Sequence, residues 1–427
     1  MHSIQLDTNR CNGCINCLKR CPTRAIRVRD KKAYILSERC IDCGLCIRVC
    51  PHKAKKAITD NFSQLKEYKY TIALPPPSIY AQFNNLEDQA ILAEALKEIG
   101  FDDVFEVARA TELIRKARSE YIRKNRDSIV FPIIATNCSV VTKLIKVKYP
   151  DLIENLLPMI SPMELAGMIA KEKAMKELGL KAEEIACVFL TPCPAKVTEV
   201  HSPIALAKSS VDLAIPINEV YSPLLKQMES IRDRGIVSQK EAEYVTNNSI
   251  KDKLPGIDPL KYLTADGIEN VMMVLEDLES HEYDLEYVEL FACNAGCFGG
   301  VLQVENPYIA RVKDLNRKKP QYNNEDLPNI SFDRMLWDMK MEYEPVMELG
   351  GTRQENFERY SKLQKLIESL PGLDCGRCGA PSCEAFAEDV VRGNADIKDC
   401  LVLFREHMES VFKMMEASFD VKGNEGE

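Results

Sequence analysis

No stretch of eighteen uncharged apolar residues occurs anywhere in the 427-residue chain, so no membrane-crossing helix is expected. The first ten residues, MHSIQLDTNR, hold no apolar run and give no secretory signal. The expected compartment is therefore the cytoplasm. Histidine is scarce, with five in all, and none stands in an H-E-x-x-H metalloprotease pattern. Neither the phosphate loop G-x-x-x-x-G-K-[ST] nor a G-x-G-x-x-G after a strand is present, so no nucleotide or flavin site is signalled. A net charge of -9 argues against general nucleic-acid binding.

What the chain has in excess is cysteine, seventeen in total. In a reducing compartment that density points to metal rather than to disulfides. Eight lie before residue 51, four lie between 375 and 400, and five are scattered between. Charge is uneven as well. Residues 1–60 hold thirteen Lys/Arg and five Asp/Glu, a net of +8 against the acidic whole. Cations beside an anionic iron–sulfur cluster offset its charge and tune its potential. They would also steer an acidic electron-carrier protein.

The N-terminal cysteines read "CNGCINCLKRCP" and "CIDCGLCIRVCP". Both follow C-x2-C-x2-C-x3-C-P, the run of two-cluster bacterial ferredoxins. Three close cysteines wrap one cubane, and the fourth reaches across to the other. Cys11, Cys14, Cys17 and Cys50 are therefore expected to hold one [4Fe-4S] cluster, and Cys40, Cys43, Cys46 and Cys21 the second. A pair of zinc sites is the alternative, but zinc knuckles pair across longer loops. Between the runs, "AIRVRDKKAYILS" alternates around a polar turn and predicts a hairpin.

After residue 66 short apolar runs alternate with helical patterns. "YTIALPPP", "DDVFEVA", "PIIATN", "IACVFLTPC", "VDLAIPI" and "YVELFAC" predict strands, and "ILAEALKEIG" predicts a helix stopped at Gly100. This is an α/β pattern with largely parallel sheets. Three of the strands run into Cys138, Cys193 and Cys293. Strand C-terminal ends are where such folds build sites. With Cys297 they make four soft ligands, enough for one more cubane. Each cysteine alone would pass for a core residue; the set is the stronger signal.

These residues resemble the catalytic domain of the [FeFe]-hydrogenases, over about residues 70–305. Its three cysteine motifs correspond to "ATNCSVV" around Cys138, "TPCPAK" with Cys193 and Lys196, and "ELFACNAGCFGG" with Glu289, Cys293 and Cys297. The resemblance implies that the four cysteines hold a [4Fe-4S] cluster. It implies that Cys297 also bridges to a two-iron subcluster carrying CO, cyanide and a dithiolate. Lys196 would hydrogen-bond a cyanide. Gly299 and Gly300 would let the backbone approach the cluster, having no Cβ.

Departures accompany the resemblance. Family members with fast turnover place a proton-carrying cysteine before the first ligand, and here Asn137 stands there. An amide cannot work as an acid or base near neutral pH. Thr191 and Phe291 stand where methionines usually line the pocket, and the glutamate pair of the proton route falls at Ala117-Arg118. The stretch between Cys193 and Cys293 is also short for an active hydrogenase.

At the C-terminus Cys375, Cys378, Cys383 and Cys400 follow C-x2-C-x4-C-x16-C, with glycines at 372, 376 and 379. The pattern resembles the [4Fe-4S] modules of electron-transfer and corrinoid-linked proteins; zinc is the alternative. Such a module behind a hydrogenase-like domain matches the sensory branch of the family, whose further signalling domain this sequence does not show. "CEAFAEDVVRG" predicts a helix ending at Gly393, and "LVLFREHMESVFKMMEASFD" an amphipathic helix packed on the body or docking a partner subunit. The remaining Cys187 is expected in the core, His52 at the surface, and His201 either near the second motif's site or in core or surface. Segments 231–260 and 303–330 read as loops.

The expected fold class is α/β. Residues 1–66 form a ferredoxin-like two-[4Fe-4S] module, 67–350 a two-lobed [FeFe]-hydrogenase-like domain with parallel sheets, 351–405 a small [4Fe-4S] domain, and 406–427 a helix and tail. The expected function is iron–sulfur electron transfer, as a slow hydrogenase or a hydrogen or redox sensor. A fully active hydrogenase and a non-catalytic electron-transfer subunit are the alternatives. A ferredoxin-type carrier or redox subunit, and a signalling protein, are the expected partners.

Overall fold

The computed structural model describes residues 2–84, 86, 88–234, 244–245, 257–317, 319–320, 322, 327–328 and 330–423. The chain forms two compact units. One comprises residues up to Gln5, Ile41–Gly44 and Ala57–Glu344; the other comprises Leu6–Cys40, Leu45–Lys56 and the residues from Pro345 on.

The first unit is built on two all-parallel sheets. Strands β1 (Tyr70–Leu74), β2 (Asp103–Val104), β4 (Ile185–Thr191) and β5 (Leu213–Pro216) form one, in the order β2-β1-β4-β5. Strands β3 (Ile133–Ile134), β6 (Tyr262–Asp266) and β7 (Tyr287–Phe291) form the other, in the order β6-β7-β3. Every residue of β4 is buried. A strand covered on both faces reads as a continuous apolar run rather than an alternating one, which is what "IACVFLT" shows.

Alternate side chains of the larger sheet serve two cores. Ile72, Leu74, Cys187 and Phe189 join Ile133, Leu157 and Tyr287 in a core with helices α2 (Val107–Asn125) and α4 (Pro162–Leu178). Ala73, Ala186, Val188 and Leu190 face the other way, against α1 (Gln89–Glu98) and α6 (Ile217–Asp233). Cys187 is a core residue, its thiol 3.4 Å from the Gly167 carbonyl and pushed up to about 12 by burial. Three further helices follow the strands that end at cysteines or flank them: α3 (Ser139–Lys148), α5 (Pro194–His201) and α7 (Ile268–Ser280).

Two expectations change. "DDVFEVA" yields only the two-residue β2, because Val107 already opens α2. Segment 303–330 is not all loop: α8 spans Pro307–Asn316, capped by the Asn306 side chain, which accepts from the Tyr308 amide at 3.0 Å, with Pro307 at the first helical position. In segment 231–260, α6 runs on to Asp233, and residues 235–243 and 246–256 lie outside the described residues.

In the second unit Ile26–Arg29 pairs antiparallel with Lys32–Ile35. Asp30 and Lys31, at φ 48 and 59, form the two-residue turn whose twist suits a hairpin. The carbonyl of Val28 faces Gly379, where a Cβ would sit 1.8 Å away, so this edge of the hairpin receives the C-terminal cysteine loop. Helices α9 (Arg353–Ser369) and α10 (Cys383–Val391) pack together around Leu370, Ala385 and Phe386.

The basic excess of the N-terminal segment finds its counter-charges here. Arg24 pairs with Glu384, Arg39 with Glu388, and Arg27 and Arg29 with Asp389, all three carboxylates on α10. Glu388 is destabilised as a charge by burial, yet Arg39 and Arg392 hold its carboxyl below the ordinary range. Those four arginines bind the C-terminal module. In the helix α11 (Leu401–Gly423), Val402 and Leu403 pack against the core around Leu370 and Phe386, while Leu401, Phe404 and Phe412 are about half exposed. Among the described residues no helix is long and apolar enough to cross a membrane.

Candidate metal centres

The two ferredoxin runs fold as pseudo-equivalent repeats. Cys21 accepts the Ala25 amide at 3.2 Å and Cys50 accepts the Ala54 amide at 3.2 Å. The residue before each amide, Arg24 and Lys53, has φ 50 in both repeats. Burial raises the Cys21 thiol, and the Ala25 amide aimed at its sulfur opposes that rise. Burial raises the Cys17 thiol, Lys55 lowers it, and Cys14, Cys50 and Cys11 raise it again. The group expected for one cubane is therefore assembled around Cys17. Burial pushes Cys46 up to about 12 against the pull of Lys55, with Cys21 and Cys17 adding to the rise. Cys40 is buried at the end of a short 3-10 helix, Ser37–Arg39.

Lys55 gives the fit test for anionic clusters here. It is 2% exposed, and its Nζ has no hydrogen-bond partner. A buried unpaired ammonium is costly unless a negative charge stands beside it. Its electrostatic neighbours are the thiols of Cys17 and Cys46. Clusters bearing thiolates supply the missing charge, so the residues fit the group.

Among the described residues, no three His, Cys, Asp or Glu side chains are grouped to hold a single metal ion. A cubane makes a different demand, since each of its four irons takes one thiolate. In the C-terminal set, burial raises the Cys378 thiol, Arg29 lowers it, and Cys400 and Cys375 raise it. Cys383 opens α10, its amide held by Asp374 at 2.6 Å.

The central set comes from both sheets of the first unit. Cys138 follows β3 and caps α3; Cys193 follows β4 and caps α5. Cys293 follows β7, and Cys297 lies in the short 3-10 turn Gly296–Gly299. The Cys193 thiol is driven well up by burial first, then by Cys293, Cys297 and Cys138. The structure thus gathers all four. Cys297 is exposed where the other three are half-buried. Even so, protein packed round its sulfur, and then Cys138, push it up to about 11, against Lys196. Iron displaces the thiol proton outright, so these shifts measure crowding of the sulfurs.

Burial lowers the Lys196 ammonium, but Glu199 and the thiols of Cys193 and Cys297 more than reverse this and keep it charged. Its Nζ donates to Glu199 at 2.7 Å, leaving two N–H donors for a ligand. Thr191 does not line an open pocket: its buried hydroxyl donates to the Cys193 carbonyl at 2.8 Å and accepts the Cys193 amide at 3.3 Å, fixing the second motif's turn. The Phe291 ring lies under Gly296.

Asn137 is a hub. Its Oδ1 accepts from Arg118, and its Nδ2 donates to Glu289 at 3.0 Å. Tyr262 donates to the other oxygen of Glu289 at 2.8 Å. Arg118 therefore fills the place next to Asn137, and a guanidinium keeps its protons. His201 is not a ligand; its Nε2 pairs with Asp60 at 2.9 Å, a hydrogen bond that raises its pKa. His52 is exposed.

The loop Ile41–Gly44, which carries Cys43, belongs to the first unit. Asp42 is buried there, accepting from the Ser3 amide at 2.8 Å and from Thr198 of α5 at 2.9 Å. A Cβ on Gly44 would lie 2.5 Å from Val301, just beyond the third motif. Nothing in the spacing of cysteines foretold Asp42 or Glu199; a polar residue inside a cysteine loop and an acid one turn beyond a lysine were the available signals.

Gly299 and Gly300 have a packing task within the protein itself. A Cβ on Gly299 would sit 2.1 Å from the Asn294 carbonyl oxygen, and one on Gly300 would sit 2.2 Å from the Pro192 carbonyl oxygen. They let the third motif pack on itself and on the second. Backbone cannot yield as a flexible side chain does. Gly300→Ala should therefore cost about 1–3 kcal/mol through overpacking. It should also lower iron at the central site alone, read by iron analysis and electron paramagnetic resonance against unchanged ferredoxin signals.

Family models match three regions of the chain. The dicluster 4Fe-4S domain family matches residues 3–51, and an Fe-S cluster family matches residues 370–402. Iron hydrogenase 1 of Clostridium pasteurianum is 22% identical over 301 residues, 58% of this chain and 52% of that protein. A probable cytosolic Fe-S cluster assembly factor of Anopheles gambiae is 21% identical over 301 residues, 56% of this chain and 62% of that protein. The chain spans about half the length of the first curated relatives it matches. A solved [FeFe]-hydrogenase structure from Chlamydomonas reinhardtii aligns over 65% of this chain and 95% of its own, at 14% identity and a TM-score of 0.47. The protein is a hydrogenase-like iron–sulfur protein. The family described as the iron only hydrogenase large subunit, C-terminal domain, matches residues 69–240 and 225–301, more than half of the chain, and it is to this [FeFe]-hydrogenase family that the chain belongs.

Proposed function

We propose that the protein holds four [4Fe-4S] clusters and an H-cluster-type site, and works as a slow hydrogenase or a hydrogen or redox sensor. One observation carries the reading. The four central thiols and Lys196 are brought together, while the position before Cys138 holds an amide locked between Arg118 and Glu289. Ligands for iron are kept; the acid–base group that fast proton delivery needs is not.

The two N-terminal cubanes would be held by Cys11, Cys14, Cys17 and Cys50, and by Cys40, Cys43, Cys46 and Cys21. Cys375, Cys378, Cys383 and Cys400 would hold a third. Cys138, Cys193, Cys293 and Cys297 would hold the central one, with a two-iron group on Cys297. When bound, that group would supply the place where two protons and two electrons combine to hydrogen. Lys196 would donate to a ligand of the group while Glu199 keeps the ammonium charged and aimed. Electrons would come from or go to a ferredoxin-type carrier or a redox subunit, and a signalling protein would read the state.

Infrared spectroscopy after maturation with the two-iron cofactor tests this. CO and cyanide bands, with slow hydrogen evolution from a reduced low-potential donor, are the expected result. Fast evolution would make the protein a working hydrogenase. The relation to a probable Fe-S cluster assembly factor favours a second, non-catalytic reading. That reading requires the absence of CO and cyanide bands in a chain whose central cubane is loaded.

A further inference from the structure

Glu164 and Glu199 lie in the interior of the first unit, 1% and 8% exposed. Neither belongs to a cysteine motif's ligand set. Glu199 Oε2 accepts from Lys196 Nζ at 2.7 Å and from the Ser139 hydroxyl, and its Oε1 accepts from Ser161 at 2.9 Å. Glu164 Oε1 accepts from the Ser209 hydroxyl at 2.7 Å and its Oε2 from the Ser210 amide at 2.7 Å. Between the two carboxyls lies a cavity of about 20 Å³, lined by both of them and by Ser139, Ser161, Thr136 and Thr142 among others. A polar cavity of this size takes one water, which needs a volume of at least ~10–15 Å³ and two to four polar partners.

The geometry points to a proton relay: solvent at Ser209–Ser210, then Glu164, a cavity water, and Glu199 beside Lys196. This inference rests on the central site being the one proposed above. It supplies the route that Asn137 and Arg118 close.

The charges favour it. Lys196 and Glu199 of α5 neutralise each other, which leaves Glu164 as the odd acid. Burial pushes Glu164 up to about 7; the Glu199 carboxylate adds to the rise, while Ser209, Ser210 and Lys196 oppose it. Cys187, on β4, is the other titratable group that feels it, and that thiol stays neutral near pH 7. Two carboxylates sharing an enclosed space do not both ionise readily, so Glu164 carries a proton for part of the time at neutral pH. The outer end lies just under the surface: Ser209 is buried, Ser210 is half-buried, and Ala207 and Lys208 before them are exposed. In each passage Lys196 Nζ gives one proton inward and regains one from Glu199, Glu199 takes one from the water, and the water takes one from Glu164. Glu164 then regains a proton from solvent through the Ser209 hydroxyl. One proton enters and one moves inward, with no bond to carbon or sulfur changed.

The test uses the full-length chain with its iron–sulfur clusters and without the two-iron group. Infrared pH titration of the native protein should reveal a protonated carboxyl band that disappears with a midpoint close to 7, and Glu164→Gln should remove it. Ser209→Ala, which keeps the acid and loses one donor to its charged form, should move the midpoint upward. The reduction potential of the central cluster should follow pH around neutrality in the native chain and become independent of pH in Glu164→Gln. No carboxyl titrating between about pH 6 and 8 in the native protein would overturn the relay. So would a native central-cluster potential that ignores pH. The native titration needs no variant to fold. A chain that never loads its central cluster sinks the functional reading instead, and the carboxyl titration still decides the relay.

Discussion

Asp389→Ala lowers the stability of the second unit by about 3–5 kcal/mol, the cost of leaving one member of a buried ion pair uncompensated. Arg27 is 1% exposed and Asp389 4%. The pair is two-pronged: Arg27 Nε donates to Oδ2 at 2.6 Å and Nη2 donates to Oδ1 at 2.9 Å. Arg29 shares the same carboxylate at 3.3 Å. A lysine or histidine robbed of its partner could shed its proton; a guanidinium cannot. Water must enter, or the C-terminal module must come away from the hairpin. Denaturant unfolding followed through cluster absorbance reads the loss, and iron from the C-terminal cluster should be lost first. The double change Arg27→Met with Asp389→Leu separates charge from packing. It removes both charges and should restore most of the stability, as apolar replacement of buried pairs often does. Glu384→Ala is the surface control. Its pair with Arg24 is half exposed, so it should cost no more than about 1 kcal/mol. A loss that small for Asp389→Ala would refute the argument.

Asn137→Cys, in a chain with confirmed CO and cyanide bands, should raise hydrogen evolution by about 10²-fold or more, the lower range for a well-placed acid–base group. The new thiol would face Arg118, whose positive charge lowers a thiol's pKa and so readies it to give and take a proton near neutrality. Glu289, now donated to by Asn137, would be released to accept from the thiol. Reaction with a small alkylating agent at graded pH measures that lowered pKa without any turnover. The gain should be larger in the Glu164→Gln background, where the new group would have no competing route. No gain in either background, with the two-iron bands in place, would show that proton delivery is not what limits this site.

The cysteine groups were legible because a cubane would fix their spacing. C-x2-C-x2-C-x3-C-P leaves few other readings, and burial of β4 and β7 explains why Cys193 and Cys293 end apolar runs. The pairing partners were not legible. Arg27 meets Asp389 across 362 residues, and no local pattern encodes such a meeting. The packing role of Gly299 and Gly300 was hidden because sequence shows a missing Cβ but not the protein backbone that stands opposite. Glu199 hid for a related reason. One turn after Lys196 it reads as an ordinary i,i+3 surface pair, and only the packing of Ser139 and Ser161 makes it an interior acid. Helix α11 shows the reverse limit: amphipathicity was plain, but periodicity does not say which apolar side chains pack, and Val402 and Leu403 do while Phe404 and Phe412 are about half exposed.

Leu6–Cys40 and the residues from Pro345 on make one unit, and that sets an order of events during synthesis. A ribosome delivers the hairpin with Arg24, Arg27, Arg29 and Arg39 long before their carboxylates on α10. In the interval the nascent N-terminal module carries an uncompensated cationic face, since domains otherwise tend to fold as they emerge. A product released early would keep that face bare and marked for chaperones or proteases. Delivery of α10, rather than completion of the hairpin, is the moment at which those arginines become electrically whole.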